Sequence, residues 1–377
     1  MNIPLNTLPS PCFVLDEKIL LWNLDVLEEV RDRAGITIIP ALKGFAMWKT
    51  FPEIKKRFQG AAVSSLHETL LCKDELGVKS FAYAPVYKEV EIDTILKLSS
   101  HISFNSLGQW ELFREKLHRF PDVSAGIRVN PGFSPVETDL YNPCVDGSRL
   151  GVSFDALNDA MPEGLEGIHI HSLCESGFDH LAELITIIEK KGKKFLSQIK
   201  WLNLGGGHLM TRSGYDKEGL INLLKRLKLN YDIEIILEPG SAFAWRAGYL
   251  VATVLDIVEH TGIQTAMLDT SFAAHMPDCL EMPYQPDVIG ATKGSGNYQY
   301  RLGGNSCLAG DYIGMYGFEA PLKVGDKLVF GDMMHYTMVK TNHFNGVAHP
   351  SIGILHTNGE FELWREFGYE DYKNRLS

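Results

Sequence analysis

The chain has no apolar run near the roughly 20 residues that span a bilayer, so no membrane helix is expected. It has no excess of positive charge: 36 Lys and Arg face 47 Asp and Glu, a formal net charge of −11. Nucleic-acid binding needs clustered Lys and Arg, and that class is set aside. The acidic balance is compatible with a cationic substrate, and equally with a merely soluble enzyme. The six cysteines, Cys12, Cys72, Cys144, Cys174, Cys279 and Cys307, are scattered with no CxxC pair. A disulfide framework and a structural zinc site are therefore not expected. The leading MNIPLNTLPSPCFVLD carries no basic n-region and no long apolar stretch. No secretory signal is expected, and the cytoplasm is the expected location.

What the chain does have is eight short apolar runs: ITIIPAL, AAVSS, SFAYAP, HISFN, SAGIRVN, EGIHIH, WLNL and IEIIL. They begin near Ile36, Ala61, Ser80, His101, Ser124, Glu166, Trp201 and Ile233. Helical spacing fills the gaps, as in Leu20–Val30, Glu68–Leu76, Val90–Leu98, Gln109–Leu117, Leu181–Ile188 and Leu220–Leu227. Strict alternation of strand and helix over eight units predicts an α/β fold, a (β/α)8 TIM-type barrel over residues 17–246. A doubly wound open sheet is the alternative, but its glycine fingerprint would follow the first strand. Beyond Trp245 the character changes to strand-like runs separated by Gly, Pro, Asn and Asp. Residues 247–377, with 1–16, predict an antiparallel β-domain.

Reactive groups stand where some runs stop. The first ends in Lys43, the sixth in His169 and His171, the seventh in Gly205-Gly206-Gly207, the eighth in Glu238. Ends of barrel strands form the catalytic rim, and the last two loops are its usual phosphate site. A lysine among apolar groups keeps a free amine able to bond an aldehyde. Histidines two apart on a strand point the same way, and one can stack on a planar ring. Glycines let backbone amides approach a phosphate. A carboxylate can pair with a protonated pyridine nitrogen. Together these match the needs of pyridoxal phosphate chemistry. Each also has a plainer reading: a surface lysine, core histidines, a tight turn, a structural Glu. The HxH pair with Cys174 and Glu175 close behind is also a metal-ligand pattern. In the later segment, Cys307 and Asp311 fall in GGNSCLAGDYI, Tyr336 in GDMMHYTM, and Asp278 and Glu281 in HMPDCLEMPYQP. A thiol can donate a proton, a phenol can meet a phosphate, and two acids can hold an ammonium.

Taken together these positions resemble the fold-type III pyridoxal phosphate enzymes, the ornithine/diaminopimelate decarboxylase and alanine racemase class. PALKGFAMW, GIHIHSLCE and HMPDCLEMPYQP are similar to segments of the carboxynorspermidine/carboxyspermidine decarboxylases within it. The resemblance covers nearly the whole chain. It implies decarboxylation of a carboxylated polyamine in polyamine and spermidine biosynthesis, and a homodimer whose active sites take Lys43 and Cys307 from different subunits. It implies that Lys43 holds the cofactor, His169 stacks on its ring and Glu238 meets the ring nitrogen. Gly205, Gly206 and Gly207 would cradle the phosphate with help from Tyr336, and Ser172 would stand where the family has a hydrogen-bonding Ser at the cofactor. Cys307 would return the proton, supported by Asp311. Asp278 and Glu281, with Glu175, His171 and Asp311, would face the substrate.

Two departures stand out. Ser241 follows the EPG where ornithine decarboxylases carry Arg, and Leu308 follows the Cys where ornithine and diaminopimelate decarboxylases carry an acid. The second argues against those two substrates. The rival readings are a racemase or another decarboxylase on the same scaffold, a non-catalytic protein of this fold, and a metal-dependent barrel hydrolase built on His169, His171 and Cys174.

Overall fold

The computed structural model describes residues 5–377. The chain divides into two units. One is Asn23–Phe243; the other joins the segment up to Trp22 to Ala244–Ser377. The expected boundaries at 17 and 246 lie a few residues away. Helix α1 (Glu17–Ala34) starts in the second unit and continues into the first.

After β1 (Cys12–Asp16), eight strands lie on the eight apolar runs: β2 (Thr37–Ile38), β3 (Ala62–Val63), β4 (Ser80–Tyr83), β5 (Ser99–Phe104), β6 (Ser124–Arg128), β7 (Gly167–His169), β8 (Trp201–Asn203) and β9 (Glu234–Leu237). All are parallel, in the order β2-β9-β8-β7-β6-β5-β4-β3. A parallel bridge between Ala41 and Ala62 joins the two ends of that order. The strands are covered on both faces, which is why they read as continuous apolar runs rather than alternating ones.

The helices between them are α2 (Phe51–Lys55), α3 (Leu66–Leu71), α4 (Glu89–Leu98), α5 (Leu107–Leu117), α6 (Phe178–Leu196) and α7 (Lys217–Tyr231). α6 buries Leu181, Leu184, Ile185 and Ile188, one stripe at helical period. Ser65, Ser106 and Asp216 cap α3, α5 and α7 by accepting the backbone N–H of Glu68, Gln109 and Gly219. The last turn of the α3 region, Cys72–Leu76, widens to a π-helix and stops at Gly77.

The barrel interior is filled from β8. The Trp201 indole is buried and donates Nε1–H to Ser124 Oγ at 2.7 Å. It fits because two neighbouring strands carry glycine. A Cβ at Gly126 would lie 2.3 Å from the indole, and one at Gly167 only 2.0 Å. Ile39, Ala41, Ala62, Phe81 and Ile236 complete this cluster.

The second unit is a nine-stranded sheet of β1, β10 (Gly248–His260), β11 (Ile263–Leu268), β12 (Ala291–Lys293), β13 (Tyr298–Gly303), β14 (Tyr312–Phe318), β15 (Lys327–Gly331), β16 (Ser351–Leu355) and β17 (Phe361–Arg365). The expected wholly antiparallel sheet is corrected to a mixed one: β1–β16 and β11–β13 pair in parallel. Both pairs join strands far apart in sequence, where no tight hairpin dictates the direction. β12 and β14 lie outside the strand-like runs. β14 carries Gly314 and Gly317, which weaken its strand signal.

Candidate active site

The barrel strands deliver their end residues into one small cavity. Lys43, Tyr83, Arg128, His169, His171 and Glu238 all line it. Lys43 lines this cavity and is itself an exposed residue, while its amine end lies among protein atoms. Desolvation lowers its pKa, and the Arg128 cation lowers it further; Glu238 and Glu68 oppose the shift. A larger free-amine fraction at neutral pH follows, which is what a carbonyl-bonding lysine requires.

Glu238 is buried, and Asn203 Nδ2 donates to its Oε1 at 2.6 Å. Burial raises its pKa; Asn203, Lys43 and Arg128 pull it back. His169 is buried with its Nε2 3.6 Å from Glu238 Oε2, beyond hydrogen-bond distance. Neither ring nitrogen of His169 has a hydrogen-bond partner. Burial, and then the Arg128 and Lys43 cations, hold its pKa well below the usual histidine value, so the ring is neutral. Tyr83 packs edge-on against it, with centroids 5.1 Å apart.

The glycine triplet follows β8. Gly205 has φ +65° and Gly207 φ +89°, the left-handed region that glycine enters freely. A Cβ at Gly207 would meet the Leu173 carbonyl at 2.2 Å, and one at Gly206 the Glu238 carbonyl at 2.7 Å. The Ser172 hydroxyl is buried without a partner. These features fit pyridoxal phosphate: an accessible amine, a neutral ring face, a buried carboxylate, and a close-approach loop beside an unsatisfied hydroxyl. The buried, unpartnered atoms of His169 and Ser172 carry that test, since such groups normally find a partner.

Among the other expected residues, Ser241 is buried and gives its hydroxyl to Glu175 Oε1 at 3.2 Å. Glu175 itself takes a positive φ of +44°. Cys174 is open to solvent at the surface of its residue, but burial of the sulfur pushes the thiol up to about 11, helped by Glu175. Among the described residues no group of three or more His, Cys, Asp or Glu is arranged to hold a metal ion.

The second unit carries the rest. Cys307 is exposed, and its backbone N–H donates to Asn345 Oδ1 at 2.7 Å. Asp311 is buried beneath the loop. Its Oδ1 accepts from Ala273 N–H, and its Oδ2 from Ser306 N–H and Oγ–H. The carboxylate is thus engaged in shaping the Cys307 loop. Asp278 accepts from Tyr284 and Thr337 through Oδ2, while its buried Oδ1 has no partner. Glu281 pairs with Lys340 at the surface. Tyr336 has φ +53° and packs edge-on to His335.

Three site residues, Tyr83, Arg128 and Asn203, are absent from the sequence-based set. Arg128 is buried, its guanidinium 4.6 Å from the centre of the Tyr83 ring, and it donates to the His171 carbonyl at 3.0 Å. Asn203 joins Glu238 to the glycine loop. Arg128 ends β6 and Asn203 ends β8, but each stands one or two residues before the end of its apolar run, so what ends each run pointed past them.

Comparison with known proteins agrees with this geometry. A family model described as "Pyridoxal-dependent decarboxylase, C-terminal sheet domain" matches residues 12–334. Carboxyaminopropylagmatine decarboxylase of a Synechocystis species is 54% identical, covering 100% of this chain and 97% of its own length. Carboxynorspermidine/carboxyspermidine decarboxylase of Campylobacter jejuni is 40% identical, covering 97% of this chain and 98% of its own. The crystal structure of Campylobacter jejuni carboxynorspermidine decarboxylase complexed with norspermidine superposes with a TM-score of 0.90 at 38% identity, covering 98% of this chain and 100% of that one. A lysine tuned by burial at one barrel rim, a carboxylate held by Asn203, and full-length likeness to decarboxylases lead to one statement: the chain belongs to the pyridoxal-dependent decarboxylase family and is an enzyme that uses pyridoxal phosphate to remove a carboxyl group.

Proposed function

We propose that this enzyme decarboxylates carboxynorspermidine or carboxyspermidine in polyamine biosynthesis, working as a cytoplasmic homodimer. The substrate names of the Campylobacter relatives support this reading. A second reading has its own support. The 54% identical Synechocystis relative is named for carboxyaminopropylagmatine, whose far end is a guanidinium rather than an ammonium. The three substrates share a cationic amine chain ending in an α-amino acid.

When bound, pyridoxal phosphate supplies the electron sink that lets CO2 leave. The roles of this chain's residues follow from chemistry. Lys43, with its lowered pKa, would hold the cofactor through its amine. The neutral His169 ring offers a flat face for the pyridine ring. Glu238, whose carboxylate accepts from Asn203 and lies near the Lys43 and Arg128 cations, would meet the ring nitrogen. The loop of Gly205, Gly206 and Gly207, with Ser172 and Tyr336, would hold the phosphate. The exposed thiol of Cys307, in the loop that Asp311 shapes, returns a proton to the α-carbon in the site of a second copy. Asp278 and Glu281, with Glu175, provide negative charge for the distal cations. Binding of that remote arm orients the reacting carboxylate.

The reading rests chiefly on the cavity joining Lys43 to Glu238 and His169. Purified enzyme is expected to show a visible absorbance that borohydride removes, and Lys43→Ala is expected to lack it. A Lys43→Ala variant keeping the same reducible band would overturn the lysine assignment. Product analysis with all three substrates side by side decides among them; release of CO2 from none would end the reading. For the dimer, mixing inactive Lys43→Ala with inactive Cys307→Ala should recover part of the activity, since mixed dimers hold one intact site. No recovery on subunit exchange would mean that the two residues do not come from different subunits.

A further inference from the structure

The amides of the glycine triplet are not equivalent. Gly205 N–H donates to Asn203 Oδ1 at 2.8 Å, and Gly206 N–H donates to His171 Nδ1 at 2.7 Å. Among the described residues, Gly207 N–H has no acceptor within hydrogen-bond distance. The imidazole of His171 is fitted against the loop. A Cβ at Gly205 would lie 2.4 Å from Nδ1, and one at Gly206 3.2 Å from Cε1. The His171 backbone is held in place, because Arg128 Nη2 donates to its carbonyl at 3.0 Å. A ring whose Nδ1 accepts a hydrogen bond carries its proton on Nε2 and is neutral. Burial, with Lys43 and Arg128 nearby, favours that neutral form.

The structure assigns His171 as a positioning residue of the phosphate cradle: its Nδ1 holds the Gly206 amide and sets the loop before the phosphate arrives. The Gly207 N–H and the unpartnered Ser172 hydroxyl are then the groups left to meet that phosphate. His171 acts through the loop, which differs from direct contact with the substrate. A loop already in its bound shape loses less freedom when it binds, so the gain appears as affinity for the phosphorylated cofactor.

This inference rests on the cofactor assignment, and the experiment separates the two. Cofactor-free protein is titrated with pyridoxal phosphate and with pyridoxal, which lacks the phosphate, following tryptophan fluorescence and absorbance. Wild-type protein that binds neither would defeat the cofactor assignment itself. His171→Ala is expected to weaken pyridoxal phosphate by about tenfold, the scale of one hydrogen bond, and pyridoxal by less than about twofold. His171→Asn, whose side-chain oxygen can accept the Gly206 N–H, should restore most of the preference for the phosphorylated form. Equal weakening of both ligands in His171→Ala would overturn the inference, because it would mean a ring contact or a general loss of structure. Unchanged binding of pyridoxal phosphate would overturn it too. If His171→Ala does not fold by circular dichroism, the asparagine variant carries the comparison: a preference retained supports the role, and a preference lost refutes it.

Discussion

Arg128 is the residue whose placement most changes the electrostatics of the site. It puts a fixed cation, 4% exposed, beside a lysine that must lose its proton. Buried charges of this kind are costly unless something compensates them. Here the Tyr83 face, the His171 carbonyl and Glu238 surround it. Replacing Arg128 with Met keeps the stem and removes the charge. The Lys43 pKa should then rise, so capture of pyridoxal phosphate by cofactor-free enzyme should move to higher pH. The pH dependence of the capture rate checks this, and an unmoved or lowered midpoint would uncouple the two residues. Glu238 tells a related story. Its position at a run's end pointed to a role, but its partner Asn203 was invisible because hydrogen-bond partners 35 positions apart leave no local pattern.

Among the elements, the strands were the legible part. Each of the eight apolar runs carries one barrel strand, because a strand buried on both faces has to be apolar throughout. The helices extend beyond the periodic stretches that announced them: Leu181–Ile188 lies inside α6, which runs from Phe178 to Leu196. The polar turns at its ends carry no periodic signal. What the runs did not reveal is the packing between β6, β7 and β8. Gly126 and Gly167 read as weak positions in strands, yet they are the space that Trp201 occupies. Gly167→Ala should destabilise the protein by about 1–3 kcal/mol through overpacking. Trp201→Phe should lower the cost of that same alanine. Denaturation midpoints of the two single variants and the double variant measure this; simple additivity would show that the two positions do not share a space.

Across the whole molecule, neutral histidines contribute to the response to acid: His208 and His275 are buried and His349 is half-buried. Burial is the largest cause in each case and pushes His208, His275 and His349 down to about 4, with the Leu204 carbonyl opposing at His208. In the unfolded chain these groups titrate at about 6.5. Between those values the unfolded chain binds more protons than the folded one. Stability is therefore full above about pH 6.5 and falls as pH drops toward 4. Urea midpoints across that range should decline, and His208→Gln should flatten the decline. A flat wild-type profile would contradict the burial of these rings. The second unit also shows where whole-chain arrangement escapes local reading. Its strands were mostly legible, but two pairs run in parallel between segments remote in sequence.

The sequence by itself determined the alternation of strand and helix, the rim residues that end the runs, and the family likeness carried by PALKGFAMW and HMPDCLEMPYQP. These are local properties, because burial and chemistry act on each residue where it stands. Only the tertiary structure decided that Arg128 stacks on Tyr83, that Asn203 ties Glu238 to Gly205, that His171 takes the Gly206 amide, and that Ser241 turns to Glu175. Those contacts depend on which strand ends face one another once the sheet has curled. A hydrogen bond is set by a distance of about 3 Å in space and leaves no trace in the spacing along the chain.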